Sequence, residues 1–466
     1  MRWLLEFYKK NMDITGRELV RNAIQLQEVE RIPWVPFVGV HAGALMGISA
    51  TEYLRSAQHI IDGVSKAVEA YAPDGIPVSF DLQVEAEVLG CKLNWAENNP
   101  PAVVSHPLLE GVEIEDLKIP DRNSGRIPVM LSAASTLRET FPDIALYGLI
   151  TGPFTLALHL MGTDVFMRML EDPDHIHQLM EFCCEVSIFM ADAYAETGCD
   201  VIALVDPMTS QIDPFSFETF VTPYVRRVFD AIRNSKALSS FFVCGNAKQN
   251  IEVMCKCGPD NISIDENIPL DYVRDIALQH KISFGGNIKL TTVLLMGSEE
   301  DSMRDALECM DTGGKKGFVL APGCDLAMAT PPGNLKAVTQ LVQDELLQGE
   351  LRASTASVSE VQKLDLSDHW RSDKVVVDVI TLDSSSCAPC QYMVDAVLRA
   401  CKPFGEAVIC KEYRIKEEEG VQMMATLNVM NIPTIVIDGN VEFISQIPPI
   451  HEISERIRYY LENKSG

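Results

Sequence analysis

The sequence predicts an α/β protein of two domains. A (β/α)8 barrel, or TIM barrel, spans residues 1–347, a linker follows at 348–372, and a smaller α/β domain spans 373–466. Three observations carry this. Eight short apolar, β-rich runs alternate with longer amphipathic stretches along the first 345 or so residues, the pattern of a barrel. The stretch around "RASTASVSEV" is Ser-rich, polar and weakly periodic, as linkers are. A second alternation then opens with "KVVVDVITLDSSSCAPC". At 466 residues the chain also exceeds what one compact core usually holds.

The barrel strands are expected at 33–40 ("PWVPFVGV"), 76–81 ("IPVSFD"), 145–151 ("ALYGLIT") and 201–207 ("VIALVDP"). They continue at 240–245 ("SFFVCG"), 262–266 ("ISIDE"), 282–287 ("ISFGGN") and 318–323 ("FVLAPG"). Helical patterns lie between most of them, as at 52–71, 165–195 and 215–235. A doubly wound open sheet gives the same alternation. The count of eight and the lack of a GxGxxG turn after the first run favour the barrel.

Barrel function sits at the C-terminal ends of the strands. Those ends carry His41, Asp81, Asp206, Cys244, Asp265 with Glu266, Asn287 and Cys324. So many titratable or thiol groups at strand ends point to one polar site, although Asp and Asn also cap the helices that follow. "MCKC" (254–257) reads as incidental.

Composition excludes several classes. A net charge of −27 opposes a nucleic-acid or anionic-membrane partner. No apolar run reaches the length of a spanning helix, and "MRWLLEFYKKNMD" lacks the features of a signal peptide, so a cytoplasmic location is expected. There the thirteen cysteines are reduced by default, and a CxxC reads as redox or metal chemistry.

"TGRELVRNAIQLQEVERIPWVPF", "SFDLQVEAEVLGCKLNW", "ITGPFTLALHLMG", "GGNIKL" and "FVLAPGCDLAMATPPGNLKAV" resemble, in order, the uroporphyrinogen decarboxylase superfamily over about 15–345. The decarboxylase branch implies a catalytic aspartate at Asp81 and a catalytic group at His159, where that branch has tyrosine. Its late histidine is replaced by Cys324, and no Lys or Arg lies between Arg31 and Arg55 to hold a polyanionic tetrapyrrole. The other branch, the methylcobamide:coenzyme M methyltransferase-like enzymes, implies a zinc held by an HxC pair and a late cysteine. Cys244 and Cys324 match the cysteines, whereas Phe242 stands in the histidine's place, on the same strand face as Cys244.

Zinc would supply a thiolate at neutral pH. A catalytic zinc takes three protein ligands, so Cys244 and Cys324 would need a third, Glu266 in the first instance, with Asp206, His41 and His159 also in reach of a barrel mouth. The competing reading is a decayed metal site that leaves two buried cysteines.

Residues 373–466 read as βαβαββα, with Cys387-Ala388-Pro389-Cys390 heading a helix and "NIPT" further on. This resembles thioredoxin and glutaredoxin-like proteins. The resemblance implies that Cys387, at the helix N-terminus, is a low-pKa nucleophile, that Cys390 resolves the mixed disulfide, and that Pro433 is a cis-proline presenting backbone to substrate. Ser386 stands where that family has tryptophan.

The expected function is therefore a corrinoid-dependent methyltransferase. It would move a methyl group between a methylcorrinoid, free or protein-borne, and a small thiol, with Asp81, His159, Cys387 and Cys390 catalytic. His41, Asp206, Asn287 and Pro433 would bind substrate, and Cys244, Cys324 and Glu266 would hold zinc. The alternatives are tetrapyrrole decarboxylation through Asp81 and a non-catalytic corrinoid-protein docking module.

Overall fold

The computed structural model describes residues 14–354, 363–367, 369, 373–384, 387–429 and 431–464. Seven parallel strands form the first sheet: β1 (Gly75–Pro77), β2 (Ala145–Thr151), β3 (Val201–Val205), β4 (Leu238–Val243), β5 (Asn261–Ile264), β6 (Ser283–Ile288) and β7 (Phe318–Pro322). They are hydrogen-bonded in chain order.

The stave expected at 33–40 is reduced to residues 33–35, and it closes the ring. Val35 N–H donates to Leu320 O at 2.9 Å, Leu320 N–H to Pro33 O at 3.0 Å, and Asp74 N–H to Trp34 O at 2.9 Å. The shortening has a chemical cause, since Pro33 and Pro36 bracket the segment and neither has an N–H to extend the ladder.

Inside the ring, alternate residues pack as an aromatic and aliphatic plug of Val35, Phe37, Phe80, Tyr147, Leu149 and Phe242. Helix α1 (Gly16–Ile24), started by a Thr15–Glu18 capping box, buries Leu19, Val20, Ala23 and Ile24 in the same cluster. Arg17 and Arg138 both reach Asp200, just before β3, at 2.7 and 2.8 Å. The N-terminal end of the ring is thus closed by α1. The C-terminal end carries the second domain.

That domain has a four-stranded sheet. Strand β8 (Val375–Thr381) pairs parallel with β9 (Val408–Arg414) and antiparallel with β10 (Thr434–Ile437), which pairs antiparallel with β11 (Asn440–Ile444). Three helices interleave: Ala388–Cys401 after β8, Glu418–Thr426 after β9 and Ile450–Lys464 after β11.

The linker expected at 348–372 is shorter than the sequence suggested. Residues to Ala353 continue the helix Glu345–Ala353, held by the Arg352–Asp311 ion pair at 2.6 Å. Leu366 is buried against the second domain, and His369 Nε2 lies 2.7 Å from Asp378 Oδ2. Of the expected linker, 355–362, 368 and 370–372 lie outside the described residues, as does Ser386. Among the described residues no helix is long and apolar enough to cross a membrane.

Candidate functional site

Two sulfurs meet at the C-terminal mouth of the barrel. Cys244 directly follows β4 and Cys324 lies two residues beyond β7, and their Sγ atoms are 3.0 Å apart. Two carboxylates set the loops that carry them. Asp265 accepts from the N–H of Gly245, whose φ of +87° suits glycine. Glu266 crowds Gly323 so closely that a Cβ there would lie 2.3 Å from Glu266 Oε2.

The contact with Cys324 and then burial hold the Cys244 thiol well above its ordinary value. Burial, reinforced by the Asp265 charge, lifts Glu266 to about 8, so this carboxyl stays largely protonated near neutrality. Its Oε1 accepts from Leu290 N–H at 3.1 Å.

The expected zinc set is not assembled. Among the described residues no group of three or more His, Cys, Asp or Glu side chains is placed to hold a metal ion. The sulfurs are also closer than the roughly 3.8 Å that two 2.3 Å zinc–sulfur bonds impose in a tetrahedron. In the place where the resemblance would put a histidine, Phe242 points into the plug, 1% exposed, with ring centroids 5.1 Å from Phe37 and 5.8 Å from Phe80.

His159 comes to the site on the helix Pro153–Met161. It lines a cavity of about 80 Å³ together with Cys244, Cys324, Asp325, Cys387 and Lys416. Its ring is 2% exposed, and among the described residues neither ring nitrogen has a hydrogen-bond partner. Burial, helped by His106, lowers its pKa to about 3, so the imidazole is neutral.

Three residues expected to bind substrate have partners within the protein. His41 is tied within the protein, with Nε2 2.7 Å from Tyr71 Oη and Nδ1 3.2 Å from Met328 O. Asp206 caps the helix that bears His159, accepting from Phe154 N–H at 3.1 Å, Thr155 N–H at 2.8 Å and the Thr155 hydroxyl at 2.6 Å. A Cβ on Gly152 would meet it at 2.3 Å. Asn287 donates to Asp265 O at 3.1 Å and Ile268 O at 2.9 Å, bracing the turn after β5.

Asp81 is also engaged. Arg126 Nη1 donates to its Oδ2 at 2.5 Å while Arg126 Nε donates to Glu87 at 2.6 Å, and Asp81 is not among the described residues lining the cavity.

The second domain completes the site. Cys387 is the N-cap of the helix Ala388–Cys401 and is half-buried; Cys390 is fully buried, with Leu382 N–H 3.4 Å from its sulfur. Pro433 follows a cis peptide bond from Ile432. Cys387, Cys390 and Pro433 line a second cavity, of about 300 Å³, together with Cys244, Cys324 and Glu266. The expected lowering of Cys387 is overturned, because hydrogen bonding with Cys390 and burial hold its thiol well above the ordinary value. The helix-terminus effect, worth a fraction of a kcal/mol to about 2 kcal/mol, is outweighed by the neighbouring thiol and by burial.

The domains are joined by specific bonds. Tyr392 Oη donates to Leu158 O at 3.0 Å, Lys416 Nζ to Asn99 Oδ1 at 2.9 Å and Gln211 Nε2 to Ser445 O at 3.2 Å.

Asp325, Lys416 and Arg126 were missed by sequence reasoning. Asp325 had a usable signal, its place beside Cys324 at a strand end. Lys416 and Arg126 lie in connections whose approach to the site only the fold reveals.

The barrel's family now follows. The uroporphyrinogen decarboxylase (URO-D) profile matches residues 15–345, and the chain belongs to that family. It is 27% identical over 340 residues to the methylcobamide:CoM methyltransferase MtbA of Methanosarcina acetivorans, covering 71% of this chain and 98% of that protein. It is 29% identical over 270 residues to MtaA of Methanosarcina barkeri, covering 57% and 78%. A methyltransferase from Methanosarcina mazei has a similar structure, with TM-score 0.66 and 25% identity over 71% of this chain and 99% of that one. Fold, family and relatives together define an enzyme of the methyltransferase kind.

Proposed function

We propose that the chain moves a methyl group between a methylcorrinoid, free or carried by a corrinoid protein, and a small thiol, with the transfer site at the barrel mouth and a thioredoxin-like dithiol domain fused to it. The observation that carries the reading is the convergence of Cys244, Cys324 and the His159 ring, unpartnered among the described residues, on one cavity, in a chain whose relatives include methylcobamide:CoM methyltransferases.

A methylcorrinoid supplies an electrophilic methyl group and keeps the electron pair of the broken carbon–cobalt bond; the thiol gives up its proton. The neutral His159 ring offers one N–H and one lone pair to orient a bound acceptor. The departing proton leaves to solvent, because Cys244 is itself held as a thiol beside Cys324. Lys416 contributes positive charge to the same cavity, useful to an anionic thiol of the coenzyme M type. No step is assigned to zinc, since the ligand set does not fit it.

The thioredoxin-like reading is supported by the βαβαββα order, by Cys387 at a helix N-cap with Cys390 buried behind it, and by Pro433 in the same cavity.

The test is anaerobic demethylation of methylcobalamin, followed by its absorbance change, with 2-mercaptoethanesulfonate and other small thiols. Turnover that falls at least tenfold in Cys324→Ser and in His159→Ala is the expected result. Folded wild-type protein that gives only the background rate with every thiol overturns the proposal.

A further inference from the structure

The two cysteine pairs of this chain share one enclosure. From that we infer that the barrel pair Cys244–Cys324 is the internal substrate of the Cys387–Cys390 pair, reduced by it through a cross-domain disulfide between Cys387 and Cys324. The inference rests on the dithiol reading of the second domain and names its target.

Geometry carries the argument. All four cysteines line the cavity of about 300 Å³, with Pro433 beside them. Cys244 and Cys324 stand 3.0 Å apart, roughly 1 Å more than a disulfide bond, so little movement closes one. Among the described residues no third ligand joins them in a metal site, and two sulfurs this close are placed for oxidation to a disulfide. Cys387 is the accessible member of its pair and Cys390 the buried one, which sets the order of attack and resolution. Across the domain boundary Cys324 helps raise the Cys387 thiol, and Cys387 in turn helps raise that of Cys244.

The steps balance. A peroxide-class oxidant takes two electrons and two protons from Cys244 and Cys324 and leaves their disulfide. Cys387 gives up its proton as it attacks Cys324 Sγ, forming Cys387–Cys324, and the Cys244 thiolate released takes that proton up. The Cys390 thiolate attacks Cys387, releasing Cys324 and leaving the Cys387–Cys390 disulfide. An external dithiol reduces that disulfide and is itself oxidised.

The test uses the full chain. Cys390→Ser cannot resolve the intermediate, so after treatment with one equivalent of hydrogen peroxide, peptide mapping should find Cys387 joined to Cys324 within one chain as the principal disulfide. The second arm needs no trap. The peroxide-oxidised barrel pair is reduced with dithiothreitol in wild type and in Cys387→Ser, and the variant should be slower by at least about tenfold. Cys387 found only on Cys244, on another chain or on no partner, or equal reduction rates in the two proteins, overturns the inference. Neither arm contains a methyl donor. Wild-type demethylation kept reduced with a phosphine reports separately on the methyltransferase reading, so the two fail independently.

Discussion

His159→Leu should make the protein more stable and less active. The ring is 2% exposed, and among the described residues both its nitrogens lack a partner. A buried polar group left without a hydrogen bond costs about 1–3 kcal/mol. Leucine is close in size to histidine, favours the helix that carries position 159, and has no polar atom to satisfy. Removing the penalty should therefore stabilise the barrel by about 1–3 kcal/mol, which at about 2–4 °C per kcal/mol raises Tm by roughly 2–12 °C. The same change removes the hydrogen bond that we propose His159 offers to the acceptor thiol. A loss of about 1.4–3 kcal/mol of transition-state stabilisation lowers kcat/KM by roughly 10- to 150-fold. Scanning calorimetry and the methylcobalamin assay on the same preparation read both effects. A variant that melts lower than wild type and turns over normally would refute the reasoning, showing that the ring is a satisfied structural histidine.

Other perturbations follow from the same geometry. Phe242→His puts an imidazole on the strand face of Cys244, and zinc bound per chain should rise towards one from a value well below that in wild type; no rise in metal content would mean that position 242 does not reach the sulfurs. Arg126→Met leaves Asp81 buried without its cation and should cost about 3–5 kcal/mol in denaturant unfolding, whereas an unchanged midpoint would show the pair to be dispensable. Burial lifts Glu85 to about 7, Asp206 to about 6 and Glu266 to about 8. These groups hold protons in the folded state that the unfolded chain releases above the ordinary carboxylate range. Their contribution is thus complete at acid pH and is lost as pH rises through about 6 to 8. Thermal unfolding should occur at a lower temperature at pH 8 than at pH 6, and a flat or rising Tm over that interval would contradict the assignment.

The fold was largely legible because apolar runs fix strands and their order fixes a parallel ring. The exception, the stave at residues 33–35, was itself readable from its flanking prolines. The site was legible only where a residue type allows few roles. Two cysteines at strand ends eighty positions apart did meet, and Cys387 did take a helix N-cap. Polar residues with many roles were less legible. His41, Asp206 and Asn287 all sit near strand ends, but each turns to a backbone or hydroxyl group nearby, because a buried polar atom takes a local partner before a distant ligand. The state of Cys387 was also beyond the sequence. A helix terminus argues for a thiolate, whereas burial and a neighbouring thiol, which only the packed structure reveals, argue more strongly against one.

The cavity shared by the four cysteines has a kinetic meaning. Sulfurs that line one enclosure are held together by the fold, so each meets the other at an effective concentration far above that of the freely diffusing thiols of a cell. Reaction between them is then first order, indifferent to dilution and hard for a freely diffusing thiol to intercept.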